Sequence, residues 1–161
     1  MYSLPPLILL DEYENDWDLY IESVYQIFCE DLKYSNLKYN GQRIFLKRHP
    51  CYKGKEKSFW HITSEGKIEE QRLPSLRRCE KIRWIRFVIE NSKEKYIKIW
   101  KNNRYGRVNI CFAIENFEYI VVLGERVGYY VLLSAYPVER ERKRQRFNQE
   151  YASYIKQNPP M

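Results

Sequence analysis

Between residues 96 and 136 four short apolar runs follow one another, joined by connections too short for parallel crossovers. Residues 96–100, 107–114, 119–124 and 129–136 are rich in β-branched and aromatic side chains, which suit a pleated, half-buried surface. Turn chemistry separates each pair: Asn102-Asn103 with Gly106, then Glu115-Asn116, then Gly124 through Gly128. Such a series pairs as an antiparallel meander and needs other elements to cover its apolar surface.

The rest of the chain supplies the cover. Residues 10–33 read as a helix: Asp11 is placed to cap it, and Trp17, Ile21, Val24, Phe28 and Leu32 recur at three- and four-residue steps. A turn at Tyr39-Asn40-Gly41 leads to a strand at 43–47, a basic loop containing Gly54, and an aromatic, β-branched run at 58–63 that reads as a second strand. Ser75 follows Pro74 and caps a second helix through residue 91, with Leu76, Cys79, Ile82, Ile85, Phe87 and Ile89 for burial. Residues 139–156 form a third helix with Phe147, Tyr151, Tyr154 and Ile155 inward, stopped by Asn158-Pro159-Pro160. The order is helix, hairpin, helix, meander, helix. That predicts an α+β fold over residues 1–161: N-terminal helices packed on an antiparallel sheet, about a four-stranded meander, with a C-terminal basic helix.

Charge is unevenly spread. The chain carries 28 Lys and Arg against 21 Asp and Glu, a net charge of +7. Residues 1–36 hold eight acids and one base, whereas residues 72–107 hold twelve bases and three acids. A basic body behind an acidic N-terminal segment predicts a polyanion-binding surface, with nucleic acid the commonest case. The longest apolar stretches, 4–10 and 119–123, fall well short of the roughly 20 residues a spanning helix needs. Met-Tyr-Ser-Leu-Pro-Pro has neither a basic n-region nor a cleavage site, so the expectation is a cytoplasmic protein with no membrane partner. Cys29, Cys51, Cys79 and Cys111 lie more than 20 residues apart with no histidine at ligand spacing, so reduced thiols, buried or half-buried, are expected, and no metal or cofactor.

Phosphate-loop, dinucleotide-binding, metalloprotease and serine-hydrolase motifs are all missing from the sequence, which removes the usual support for those chemistries. His61 remains, in a run that as a strand would set Phe59, His61 and Thr63 on one face. Imidazole beside a hydroxyl, on a surface fed by arginines, suits metal-free RNA cleavage: one group removes the 2′-OH proton, another protonates the 5′-oxygen, and cations stabilise the phosphoryl charge. His49 reads as a loop residue. Arg77, Arg78, Arg83 and Arg86 share one predicted helix; at about 100° per residue they cannot all face one phosphate. Arg140, Lys143 and Arg144 begin the last helix and form either a solvated face or a patch that tracks an RNA backbone. Ser134 and Tyr136 alternate on the last strand and point the same way.

Several segments together are similar to phage- and prophage-type members of the barnase–EndoU–colicin–RelE (BECR) nuclease superfamily. They are Arg48-His49-Pro50, Gly54-Lys55-Glu56, Phe59-Trp60-His61-Ile62, Arg78-Cys79-Glu80-Lys81-Ile82-Arg83-Trp84-Ile85, and the closing runs 119–123 and 132–136 followed by a basic helix. The resemblance covers roughly residues 42–155 and leaves out the acidic first helix. It implies a helical portion on a four-stranded antiparallel sheet, metal-independent endoribonuclease or toxin-like activity, RNA (tRNA among toxin relatives) as substrate, and an antitoxin or immunity protein as partner. It implies catalytic roles for His61, Arg78, Ser134 and Tyr136; Thr63, on the same predicted strand face as His61, adds a positioning hydroxyl from the residue pattern itself. No second histidine follows His61, so its acid–base partner is left open. Two other readings stand beside it: a non-catalytic RNA-binding protein on the same fold, and an interaction module that docks through, or is shielded by, its acidic first helix.

Overall fold

A computed structural model describes residues 2–159. Its architecture is α+β, with helices on both faces of a mixed six-stranded sheet of order β1-β2-β8-β7-β6-β5. The predicted meander is its larger part: β5 (Ile97–Arg104), β6 (Arg107–Ile114), β7 (Tyr119–Glu125) and β8 (Tyr130–Pro137) pair antiparallel in sequence order. Two strands extend it. β1 (Lys38–Tyr39) and β2 (Gln42–Phe45) form a hairpin around Asn40 and Gly41, whose φ angles of 50° and 75° are those a two-residue turn demands. β2 then docks parallel to β8, through Ile44 opposite Tyr130 and Phe45 opposite Val131.

The run at 58–63 is a helix, α2 (Lys57–Thr63), and not the expected strand. Its buried residues Ser58, Phe59, Ile62 and Thr63 follow helical spacing. Tertiary contacts settle the choice. The amides of Lys57 and Ser58 donate to the carbonyls of Arg48 and Lys47, while Phe59 packs edge-on against Phe28 and Tyr25. Partners from distant chain thus overrule a strand-like local composition.

Two of the three expected helices shift in detail. The first begins with a 3₁₀ turn at Leu10–Tyr13, then left-handed Glu14 and Asn15. Asp16, not Asp11, caps α1 (Trp17–Phe28) by accepting from the amides of Asp18 and Leu19 at 3.0 and 3.3 Å. A π-helical turn (Cys29–Lys33) completes it. The second is capped by Ser75 as expected but breaks in two, α3 (Leu76–Glu80) and α4 (Trp84–Glu90). Cys79, Glu80, Ile82, Trp84 and Ile85 are all buried, more faces than one straight helix can hide, and the turn between the helices re-aims the second. A two-residue ribbon, β3 (Ser64–Glu65) with β4 (Leu73–Pro74), links α2 to α3. The last helix, α5 (Glu141–Gln157), is close to expectation; Pro160 lies outside the described residues.

Burial follows the two faces of the sheet. Ile110, Phe112, Val121, Leu123 and Leu132 join Tyr20, Val24, Phe28, Phe59, Ile85 and Val88 in the main core. Trp100, Cys111, Ala113 and Ile120 face the other way, under Phe147, Tyr151 and Tyr154 of α5. The carboxylate of Glu150 on α5 accepts from Trp100 Nε1, Asn102 Nδ2 and an Arg104 guanidinium at 2.8, 2.7 and 3.1 Å, which pins the helix to β5. Among the described residues no helix is long and apolar enough to cross a membrane.

Candidate functional site: a cationic strand edge

β8 is paired on both sides only at its start. Beyond Val131 its outer edge has no strand partner among the described residues, and α2 and α3 pack there instead. This edge brings together side chains from four elements.

Arg78 on α3 spreads its guanidinium over the ring of Tyr136, 5.1 Å from the centroid. Lys143 on α5 reaches the same ring at 4.4 Å. Two cations therefore meet at the Tyr136 ring, and the Arg78 Nη1 also donates to the His61 carbonyl at 3.3 Å. Arg72, on the loop before β4, donates to that same carbonyl at 2.8 Å and to the carbonyls of Ser64 and Gly66, so it caps the C-terminal end of α2. Neither Arg78 nor Lys143 has a carboxylate within ion-pair distance among the described residues.

The electrostatics record that imbalance. Burial, then Arg72, pulls the Arg78 guanidinium below its ordinary pKa, with Glu65 opposing; a guanidinium remains charged regardless. Burial, then Arg146, Arg78 and Arg140, lowers the Lys143 ammonium. Burial, then Cys111, raises the Tyr136 phenol while Arg78 and Arg146 oppose it. Half-buried cations that repel one another, with no carboxylate between them, are an arrangement that an anion would relieve. The chain at α5 adds to it. Arg140, Arg142, Lys143, Arg144 and Arg146 crowd the helix N-terminus, where the macrodipole already presents partial positive charge and each exposed cation costs about 0.3–1 kcal/mol.

Further along the edge, His61 and Lys57 of α2 line a hollow of about 180 Å³ with Lys47, Leu132 and Leu133. Ser134 lies between this hollow and Tyr136, half-buried, on the strand face that Tyr136 shares. The His61 backbone is thus held by the cationic cluster, while its side chain lines the hollow beside Leu132 and Leu133.

The remaining expected residues divide. Thr63 is not beside His61: two helical residues lie about 200° apart, and the buried Thr63 hydroxyl donates to the Phe59 carbonyl at 2.8 Å. The strand argument that paired the two falls with the strand. Arg77 turns outward and bonds the buried Glu80 at 3.1 Å. Arg83 and Arg86 lie towards Asp31, whose carboxyl is raised by burial against the pull of both guanidiniums, and Arg86 also pairs with Glu90 at 3.2 Å. Both belong to a different region from Arg78. Arg144 is tied to the Val138 carbonyl and to Glu141. Arg140 stands at the N-cap position of α5, within the field that acts on Lys143. Sequence reasoning passes over Arg72 and Lys57 as site residues, whereas Arg146 belongs to the basic run at 140–146 that the sequence offers as an RNA-tracking patch. Cys29, Cys79 and Cys111 are buried thiols, but Cys51 is exposed. Among the described residues no three His, Cys, Asp or Glu side chains gather where they could hold a metal ion.

Compared with known proteins, the chain matches no family model, no curated protein and no solved structure.

Proposed function

We propose that this protein is a metal-independent endoribonuclease whose substrate backbone runs along the outer edge of β8. The observation that supports this reading is the convergence of Arg78 and Lys143 on Tyr136 without a carboxylate to neutralise them. In the proposed reaction the 2′-oxygen attacks the adjacent phosphorus as its proton leaves to a base, and the 5′-oxygen departs with a proton from an acid. The products are a 2′,3′-cyclic phosphate and a 5′-hydroxyl. Arg78 and Lys143 stabilise the charge that builds on the phosphoryl oxygens. His61, whose side chain lines the hollow beside Leu132 and Leu133, is the group whose ordinary pKa suits proton transfer near neutral pH. Ser134 and Tyr136 position the phosphate between them. An antitoxin or immunity protein for such an enzyme would cover this same edge.

The test is cleavage of total RNA in EDTA by wild type and His61→Ala, with end-group analysis. Cleavage by wild type alone, leaving 2′,3′-cyclic phosphate, is the expected result. Cleavage by both proteins removes His61 from the chemistry. A second reading, RNA binding without turnover, is favoured by the withdrawal of Thr63 into α2, which leaves His61 without the neighbouring hydroxyl the sequence suggested. It predicts salt-sensitive RNA binding with no cleavage of any RNA.

A further inference from the structure

His61 and Lys57 line a second, larger hollow on the other side of α2. It has a volume of about 730 Å³ and lies between α1 and the loop that precedes α2. Sites for small ligands commonly measure about 300–1,000 Å³ and combine apolar walls with a few polar groups. This one has an aromatic wall. Tyr52 and Trp60 meet edge to face with centroids 5.6 Å apart, and Trp60 Nε1 donates to the Tyr52 carbonyl at 2.8 Å, which holds the indole in place. Tyr52 is 60% exposed at the edge of the cavity, with Lys53 Nζ 5.4 Å from its ring centroid. Asp18 and Glu70 also line the hollow, so it offers acceptors as well as cations.

We infer that this groove receives one unpaired nucleobase of the RNA whose backbone follows the β8 edge. The inference rests on the RNA reading above and adds to it the part of the substrate that phosphate contacts cannot recognise. Three features carry it. The aromatic wall provides the stacking surface that single-stranded nucleic acid uses, and every base has a face to stack. The carboxylates can accept hydrogen bonds from ring and exocyclic N–H groups, which a phosphate would avoid. The groove is also continuous with the edge, because His61 and Lys57 line both hollows and Arg72 lines the groove while bonding the carbonyl that Arg78 bonds. A strand that rounds the His61 end of α2 then sets a base on one side and phosphates on the other.

The probe is a single-stranded tetranucleotide methylated at every 2′-oxygen, so that it binds without being cut, and a fully abasic oligomer of the same length and charge. Wild type is expected to bind the tetranucleotide about tenfold more tightly than the abasic oligomer, in line with one stacked base. Tyr52→Ala, which keeps the backbone carbonyl that Trp60 uses, removes that preference without changing the affinity for the abasic oligomer. Tyr52→Phe retains it. Equal binding of the two oligomers by wild type, or a preference that survives in Tyr52→Ala, overturns the base groove while the phosphate edge stands. Failure of wild type to bind either oligomer overturns the RNA reading and the groove with it.

Discussion

At the scale of single residues, function and structure make different demands on charge. Glu56 shows the structural case. It is buried and accepts from the Tyr25 hydroxyl at 2.5 Å, with Lys33 Nζ at 3.3 Å, so it ties the loop before α2 to the first helix. Burial would raise its carboxyl, but the bonds from Tyr25 and Lys33 prevail and hold it below the ordinary 4.5. Glu150 is lowered in the same way, by Asn102, Trp100 and Arg104 against its own burial. A carboxyl depressed in the folded state contributes stability above its unfolded pKa and loses it as pH falls through the folded value. Thermal stability should therefore hold from neutral pH down to about 4.5 and fall steadily below it. Glu56→Gln should flatten part of that acid limb; an unchanged limb in both Glu56→Gln and Glu150→Gln would contradict the assignment. Arg78 is the opposite case, a half-buried cation with no carboxylate, and its replacement should cost binding far more than stability. Arg78→Gln is expected to weaken RNA binding about tenfold and to leave the melting temperature within a few degrees of wild type, as removal of a phosphate contact would.

At the scale of elements, the legible parts of the fold were those whose neighbours agree with their local pattern. β6 and β7 are long, apolar and joined by short turns, and their pairing follows from sequence alone. α5 was legible because its basic residues fill the first turns and its aromatic stripe the later ones. α2 was not, because six residues of Ser, Phe, Trp, His, Ile and Thr fit either period, and the Lys47 and Arg48 carbonyls that select the helix belong to another segment. The site inherits these limits. Arg78, Tyr136 and Lys143 could be named as candidates, but their convergence depends on β8 losing its outer partner after Val131, a consequence of how short β2 is. His61 was identified from chemistry and placed on the wrong element. α5 itself offers a test of the electrostatic trade. Arg142 is exposed near the helix N-terminus, and Arg142→Glu should stabilise the protein by about 0.5–1 kcal/mol in chemical denaturation while weakening RNA binding. Destabilisation by this change would contradict the view that the basic run is kept at a cost.

At the scale of the whole molecule, the acidic N-terminal segment is part of the framework. Tyr20, Val24 and Phe28 of α1 are fully buried in the main core, and the Ile8 amide donates to the Glu80 carbonyl. Removing residues 1–36 should leave a chain with no cooperative unfolding transition, so the first helix cannot act as a detachable shield or a separate docking arm. Three of its eight acids act locally: Asp16 caps α1, Glu22 pairs with Lys55 at 2.6 Å, and Asp31 lies in the field of Arg83 and Arg86. Residues 1–36 hold eight acids and one base, so the positive charge lies in the rest of the chain, and at the edge of β8 Arg78 and Lys143 have no carboxylate within ion-pair distance among the described residues. Replacing Trp100, which is fully buried beneath α5, by Ala should cost about 3–5 kcal/mol and release the helix that carries Lys143. The central claim is that this edge holds RNA phosphates, and the salt dependence of binding tests it most directly. For a single-stranded RNA, the slope of log affinity against log salt should be shallower by about 1.4 in the double variant Arg78→Gln, Lys143→Gln than in wild type, one phosphate contact for each cation removed. An unchanged slope, with the variant folded, would place the phosphates elsewhere on the molecule.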